Sequence, residues 1–240
     1  MVQALVVFVG AFFVSMLLVR VFASNVYDFL IVKMTTKWYR VVLGRLSSGD
    51  RVLDIGIGTA SALLDNELIL TNKNIQVVGV DYDQKYVNFA KNKIKQKNLQ
   101  DRIQVHCKSI FDVDLGTAIK QEKAYDAAYF SGSWTLMPSP VQALHIASSF
   151  VKPDGKVFVT QTFQRATTPL LSTLKPMLKH LTTIDFGELH YEVDLEEYIQ
   201  NAEEPVNGIS LVLEENSIVP GSIDNNYQAA RLLVFKKVQK

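Results

Sequence analysis

From Arg51 onward the chain alternates short β-rich runs with helical stretches, and this alternation constrains the fold more than any other feature. Parallel strands cannot be joined by a tight turn; each pair needs a long crossover, usually a helix. Runs at Arg51–Gly56, Ile75–Asp81, Arg102–Cys107, Ala124–Ser131 and Lys156–Thr162 are separated by Ala60–Leu70, Gln84–Lys97, a short segment at Leu115–Lys120 and Pro140–Val151. This pattern predicts a parallel sheet with helices on both faces. Asp83 stands where an N-cap belongs, and Lys152-Pro153-Asp154-Gly155 reads as a turn before the fifth strand. The rhythm then changes. Helical patterns at about Thr167–His180 and Leu195–Ala202 precede two extended runs, Ser210–Ile218 and Gln228–Lys237, with no full helix between them. Two such strands are expected to pair antiparallel.

Ahead of this region, Met1–Val19 contains no Asp, Glu, Lys or Arg. As a helix, Val2–Ala23 would span roughly 33 Å, which matches the hydrocarbon core of a bilayer. Arg20, Lys33, Lys37, Arg40, Arg45 and Arg51 follow the apolar run rather than precede it, against only Asp28 and Asp50. A signal peptide carries its basic residues first, and basic flanks favour the cytosolic side. Residues 1–23 are therefore expected to be a single-pass transmembrane anchor with the following domain facing the cytosol. A cleaved signal and a buried core helix are the competing readings. Residues 24–46 read as a juxtamembrane amphipathic helix in which Tyr27, Phe29, Trp38 and Tyr39 mix with Lys33, Lys37 and Arg40. That helix either packs across the entrance of the next domain or lies among headgroups. Residues 47–240 form the globular domain.

Charge and cysteine usage exclude several classes. The whole chain has 25 basic and 24 acidic residues, and setting aside the net +4 between Arg20 and Arg51 leaves the remainder at −3. A nucleic-acid substrate would want basic stripes. The single cysteine, Cys107, rules out an internal disulfide framework and a cysteine-rich zinc site.

The first strand runs into Asp54-Ile55-Gly56-Ile57-Gly58-Thr59-Ala60. Gly-x-Gly after a strand permits close approach of backbone to a ligand and is by itself a weak signal. A pyrophosphate-binding dinucleotide turn wants a further glycine three places on, where Ser61 stands, and Asp54 would face a doubly charged group. An amino-acid-like ligand has the opposite needs: an ammonium for Asp54 and a carboxylate near the next helix's N-terminus. S-adenosylmethionine (SAM) presents both. Asp81, 23 residues after Gly58, sits where a ribose diol donates hydrogen bonds, in either nucleotide reading. Tyr82 follows, placed to cover an adenine face, and Ser109-Ile110 falls where an adenine edge is met. The fourth strand ends in Ser131-Gly132-Ser133-Trp134, a small-residue mouth beside the transferring methyl.

From Asp54 to about Lys240, this pattern resembles the class I SAM-dependent methyltransferase superfamily. The motifs that carry the likeness are Asp54-x-Gly56-x-Gly58, Asp81, the Ser109-Ile110 position, the Lys152–Gly155 turn and the terminal antiparallel pair. The resemblance implies a Rossmann-like α/β fold with a seven-stranded sheet of order 3-2-1-4-5-7-6, strand 7 antiparallel. It also implies SAM as cofactor, held by Asp54, Ile55, Gly56, Ile57, Gly58, Asp81, Tyr82, Ser109, Ile110 and Ser131. Ala60 replaces a frequent third glycine, and Ser109 stands where Asp is common. An apolar leader before such a domain is similar in layout to animal membrane-anchored alkyl-thiol methyltransferases.

The strand-four mouth lacks the Asn/Asp-Pro-Pro-aromatic loop of amino-methylating enzymes, and Ser131 is a poor hard-cation ligand. Cys107 reads as a strand residue rather than a nucleophile. What remains is metal-independent methyl transfer to a small or lipid-like acceptor. The alternatives are a protein methyltransferase acting on a membrane partner and a SAM-binding scaffold without turnover. If a base is used, His190 and Tyr191, in Asp185–Tyr191, are the candidates. His106, His145 and His180 read as structural. Trp134 either faces the acceptor or packs in the core.

Overall fold

The structure, a computed structural model, describes residues 31–119, 124–166 and 190–239. The chain enters as helix α1, over 31–45. Strands β1 (Arg51–Ile55), β2 (Gln76–Asp81), β3 (Ile103–Cys107), β4 (Tyr125–Ser131) and β5 (Val151–Gln164) pair in parallel. Strands β6 (Ile209–Ile218) and β7 (Gln228–Gln239) complete one seven-stranded sheet in the order β3-β2-β1-β4-β5-β7-β6. β7 runs antiparallel to both β5 and β6. This is the expected order. Helices α2 (Ser61–Leu64), α3 (Glu67–Asn72), α4 (Gln84–Gln96), α5 (Leu115–Ala118), α6 (Pro140–Ser149) and α7 (Glu192–Glu203) connect or cover the strands.

Strand side chains alternate between two cores. Val52, Val77, Ala127 and Tyr129 face a cluster with Trp38, Leu43, Val87 and Ile94, which places α1 and α4 on one side of the sheet. Leu53, Ile55, Val78 and Phe130 face Leu115, Leu144, Ala147 and Leu195, with α5, α6 and α7 on the other. α4 shows the local logic. The Asp83 side chain accepts from the Lys85 N–H at 2.7 Å, Val87, Ala90 and Ile94 form the buried stripe, and Lys93 and Lys95 close the last turn.

α1 runs opposite to the strands. At its end, the Lys73 ammonium gathers the carbonyls of Leu43, Gly44 and Leu46 near the start of β2. Farther up, Trp38 lies against Gly132 just past β4, and its indole donates to Ser222. Trp38, Tyr39, Val42, Leu43 and Leu46 are each 1–6% exposed. At about 1.5–3 kcal/mol per large buried apolar side chain, their burial is worth on the order of 10 kcal/mol. These aromatics belong to the protein core, not to a headgroup layer, although Lys33 and Arg40 remain exposed.

Three boundaries differ from the sequence expectation. The helix expected over Ala60–Leu70 is two short helices, broken where the Asn66 side chain donates to Thr36 O of α1 and to Ala62 O. The Lys152–Gly155 turn is absorbed into an irregular start of β5: Tyr125 pairs with Val151, whereas Ala127 pairs with Lys156. The last helix starts at Glu192, three residues before the expected Leu195. The anchor expected at residues 1–23, the first part of the juxtamembrane helix and the helix at about Thr167–His180 lie outside the described residues. Among the described residues, no helix is long and apolar enough to cross a membrane.

Candidate active site

The site is built where β1, β2 and β4 end. After Ile55 the backbone turns through Gly56 at φ 76° and Gly58 at φ 57°, in the left-handed region that favours glycine. The Gly56 and Ile57 N–H groups donate to Val80 O at 2.8 and 3.2 Å, pinning the turn to β2. A Cβ at Gly56 would stand 2.4 Å from Ser133 Cβ, so the loop after β4 rests directly on this glycine. Ser133 Oγ donates to Ile55 O and ties the two loops together. Ile57 lies over Gly79, where a Cβ would meet its side chain at 2.4 Å.

Asp54 sits under this turn, 1% exposed, in register with Tyr129 of β4. Its Oδ2 accepts from the Tyr39 hydroxyl at 2.7 Å, while its Oδ1 is buried with no partner among the described residues. Burial pushes the carboxyl up to about 7, with the Tyr39 hydrogen bond opposing and the Asp81 charge adding to the rise. Burial also drives the Tyr39 hydroxyl well above its ordinary value. A buried carboxylate with one orphaned oxygen fits an ammonium and repels a pyrophosphate. That matches the amino-acid end of SAM and not a dinucleotide.

Asp81 ends β2 with one N–H on each oxygen: Gly58 N to Oδ2 and Asp83 N to Oδ1, both at 2.9 Å. Burial raises its carboxyl and these two N–H groups hold the rise back. Each oxygen keeps a lone pair for a ribose hydroxyl. Tyr82 follows, 82% exposed, free to lie against a flat base. Ser109 begins a small turn in which Asp112 Oδ2 takes its N–H and its hydroxyl caps Phe111 N.

The side chains of Ile55 and Ile110 pack in the core beneath the sheet, 1% and 2% exposed, so only their backbones can meet a ligand.

At the end of β4, Ser131 lies near the Tyr39 and Tyr129 hydroxyls, and burial drives both hydroxyls above their ordinary values. Its Oγ is buried without a hydrogen bond of normal geometry. Tyr129 OH and Thr160 Oγ1 are paired at 2.8 Å. His190 is engaged at both ring nitrogens: Nε2 lies 3.1 Å from Thr135 O and Nδ1 3.1 Å from Tyr198 OH. Since a carbonyl only accepts, Nε2 carries the proton and Nδ1 receives the Tyr198 hydroxyl. This departs from the reading of His190 as a base, because no ring nitrogen is left open. Tyr191 starts α7, its backbone N–H donating to Asp194 Oδ2 at 2.9 Å. Trp134 is fully buried against Phe163 and Tyr198, with its indole donating to Pro140 O, which settles it in the core.

Tyr39 and Thr160 were not legible as site residues. Tyr39 lies in the helix ahead of the motif and meets Asp54 only through the fold. Ser133 belongs to the expected mouth, but its contact with Gly56 is visible only in the fold.

Comparisons with known proteins agree with this geometry. The family model described as "Methyltransferase domain" matches residues 46–184, more than half of the chain. Erythromycin 3''-O-methyltransferase of Saccharopolyspora erythraea is 30% identical over 109 residues, covering 41% of this chain but only 35% of that relative. Among solved structures, the cyclase SpnF superposes with a TM-score of 0.63 at 18% identity, covering 85% of this chain and 82% of that one. Geranyl diphosphate methyltransferase in complex with SAM gives a TM-score of 0.61 at 11% identity, covering 85% of each. At such identities the two structures share the fold alone. With the family match over the strands and loops that form the site, the chain belongs to the methyltransferase domain family, and its cofactor is S-adenosylmethionine.

Proposed function

We propose that this protein is a SAM-dependent, metal-independent methyltransferase of a small or lipophilic acceptor, held at a membrane by residues 1–23 with its domain in the cytosol. The observation that carries the reading is the buried Asp54 carboxylate, whose free oxygen lies beside a glycine turn shaped for a ligand's close approach. Support for a small acceptor comes from the names of similar proteins, which specify erythromycin and geranyl diphosphate. Support for the membrane comes from the charge-free leader and the basic residues that follow it.

SAM, when bound, supplies a methyl group on a sulfonium that is already a good leaving group. The protein's share is to orient, to exclude water and to remove a proton where the acceptor needs it. Asp54 binds and orients an ammonium, Asp81 receives the ribose diol, and Trp38, Tyr39 and Tyr129 exclude water on the α1 side.

Incubating the full chain with methyl-labelled SAM and membranes, then dividing label among small-molecule, lipid and protein fractions, tests the reading. Label in the small-molecule or lipid fraction is expected. Label confined to protein would make it a protein methyltransferase, and tight SAM binding without label would make it a scaffold. Deleting residues 1–23 should move the protein from the membrane pellet to the supernatant; a variant that stays in the pellet refutes the anchor.

A further inference from the structure

We propose that Tyr39 is a positioning residue of the cofactor site: its hydroxyl, carried in by α1, holds the Asp54 carboxylate so that Oδ1 alone is presented to the ammonium of SAM. The inference rests on the reading of Asp54 as the ammonium's partner. Tyr39 lies ahead of the matched family region, which begins at residue 46.

The geometry is that of a built contact. Tyr39 is 4% exposed and its hydroxyl is 2.7 Å from Asp54 Oδ2. Its ring meets Tyr129 edge to face, with centroids 5.1 Å apart, and so cannot swing away. Flanking contacts fix the helix turn: Lys37 donates to Gly221 O at 2.9 Å and Trp38 to Ser222 Oγ at 2.8 Å. A carboxylate with two equivalent oxygens could rotate and pair with either. With one oxygen claimed by a phenol, the other has a single direction in which to find a partner. The hydrogen bond also favours the charged form against the pull of burial and the neighbouring carboxylate. The groups that face Asp54 are Tyr39 from α1, Tyr129 from β4 and Asp81 from β2.

The test uses SAM titrations by calorimetry from pH 6 to 9 on the full-length protein. Tyr39→Phe keeps the ring and its packing while removing the hydroxyl. A hydrogen bond to a charged group corresponds to about 10- to 100-fold in affinity. Tyr39→Phe is expected to weaken SAM by that order near pH 7 and to move the pH at which affinity declines to a higher value. A purely structural role would leave that pH unmoved. Trp38→Phe, which loosens α1 without touching Asp54, should keep the wild-type pH profile. The double variant Tyr39→Phe/Asp54→Asn should bind no more weakly than Asp54→Asn alone, because the two groups act as one.

If Asp54→Asn weakens SAM while Tyr39→Phe retains wild-type affinity and pH profile, the Tyr39 proposal falls and the Asp54 reading stands. Multiplying losses in the double variant would also overturn it. If Asp54→Asn binds SAM as well as the wild type, the Asp54 reading falls and takes the proposal with it.

Discussion

Replacing Asp54 by Asn should make the ligand-free protein less sensitive to alkali while impairing SAM binding. Asp54 is 1% exposed and burial lifts its carboxyl from an ordinary 3.8 to about 7. Between those two pH values the unfolded chain has released a proton that the folded chain keeps, so folded-state stability falls as pH rises through the window. Above the folded value the loss is complete. At about 1.4 kcal/mol per pH unit it is on the order of 4 kcal/mol, of which about 3 kcal/mol falls above pH 5. Asn does not titrate. Its amide oxygen can still accept the Tyr39 hydroxyl, but its NH2 replaces Oδ1 and leaves an unpaired donor at a pH-independent cost of about 1–3 kcal/mol. Urea unfolding at pH 5 and pH 8.5, compared between wild type and Asp54→Asn, isolates the term because other titrating groups cancel in the difference. The wild type should lose about 3 kcal/mol more than the variant across that interval. Parallel pH–stability curves would refute the reasoning, since they would mean that Asp54 releases its proton at the same pH in the folded and the unfolded chain. Saturating SAM should flatten the wild-type curve alone, because an ammonium beside Oδ1 restores the preference for charge.

Gly56→Ala combines a backbone conformation that L side chains resist with a Cβ 2.4 Å from Ser133 Cβ. The strain and the overpacking together should lower stability by about 2–4 kcal/mol and displace the loop after β4, read as a drop in the denaturant midpoint with weakened SAM binding. An unchanged midpoint would mean that the two loops are not in contact. His190→Gln can reproduce both hydrogen bonds of the imidazole, one donated to Thr135 O and one accepted from Tyr198. Turnover and stability should stay within a few-fold and about 1 kcal/mol of wild type. A folded variant without turnover would instead make His190 a participant in the chemistry.

The sheet could be read from the chain because each strand announces itself locally. The apolar runs, the Asp83 cap and the glycines after Ile55 are short-range signals, and their succession gives a parallel sheet with helices on both faces; the strand order itself came from the family resemblance. The carboxylates at the ends of β1 and β2 were legible for the same reason, since each follows directly from its own strand. Contacts between distant segments were not. The break in the helix after β1 depends on Asn66 reaching Thr36 in α1, and nothing at Asn66 foretells it. The aromatics of α1 could be assigned equally to a lipid surface or to the core until their burial decided the matter. His190 looked available as a base because only the fold shows Thr135 and Tyr198 on either side of its ring.

The opposite courses of α1 and β7 matter for anyone handling this protein. α1 descends from the rim of the cofactor cleft to the sheet's far edge, and β7 begins beside Gln164 at that rim and pairs Lys236 with Lys156 near the far edge. A bead, dye or carrier protein attached to the start of α1 itself, at Ile31, would therefore crowd the mouth through which ligands pass. The same cargo joined after Gln239 would hang from the opposite end and leave the mouth open.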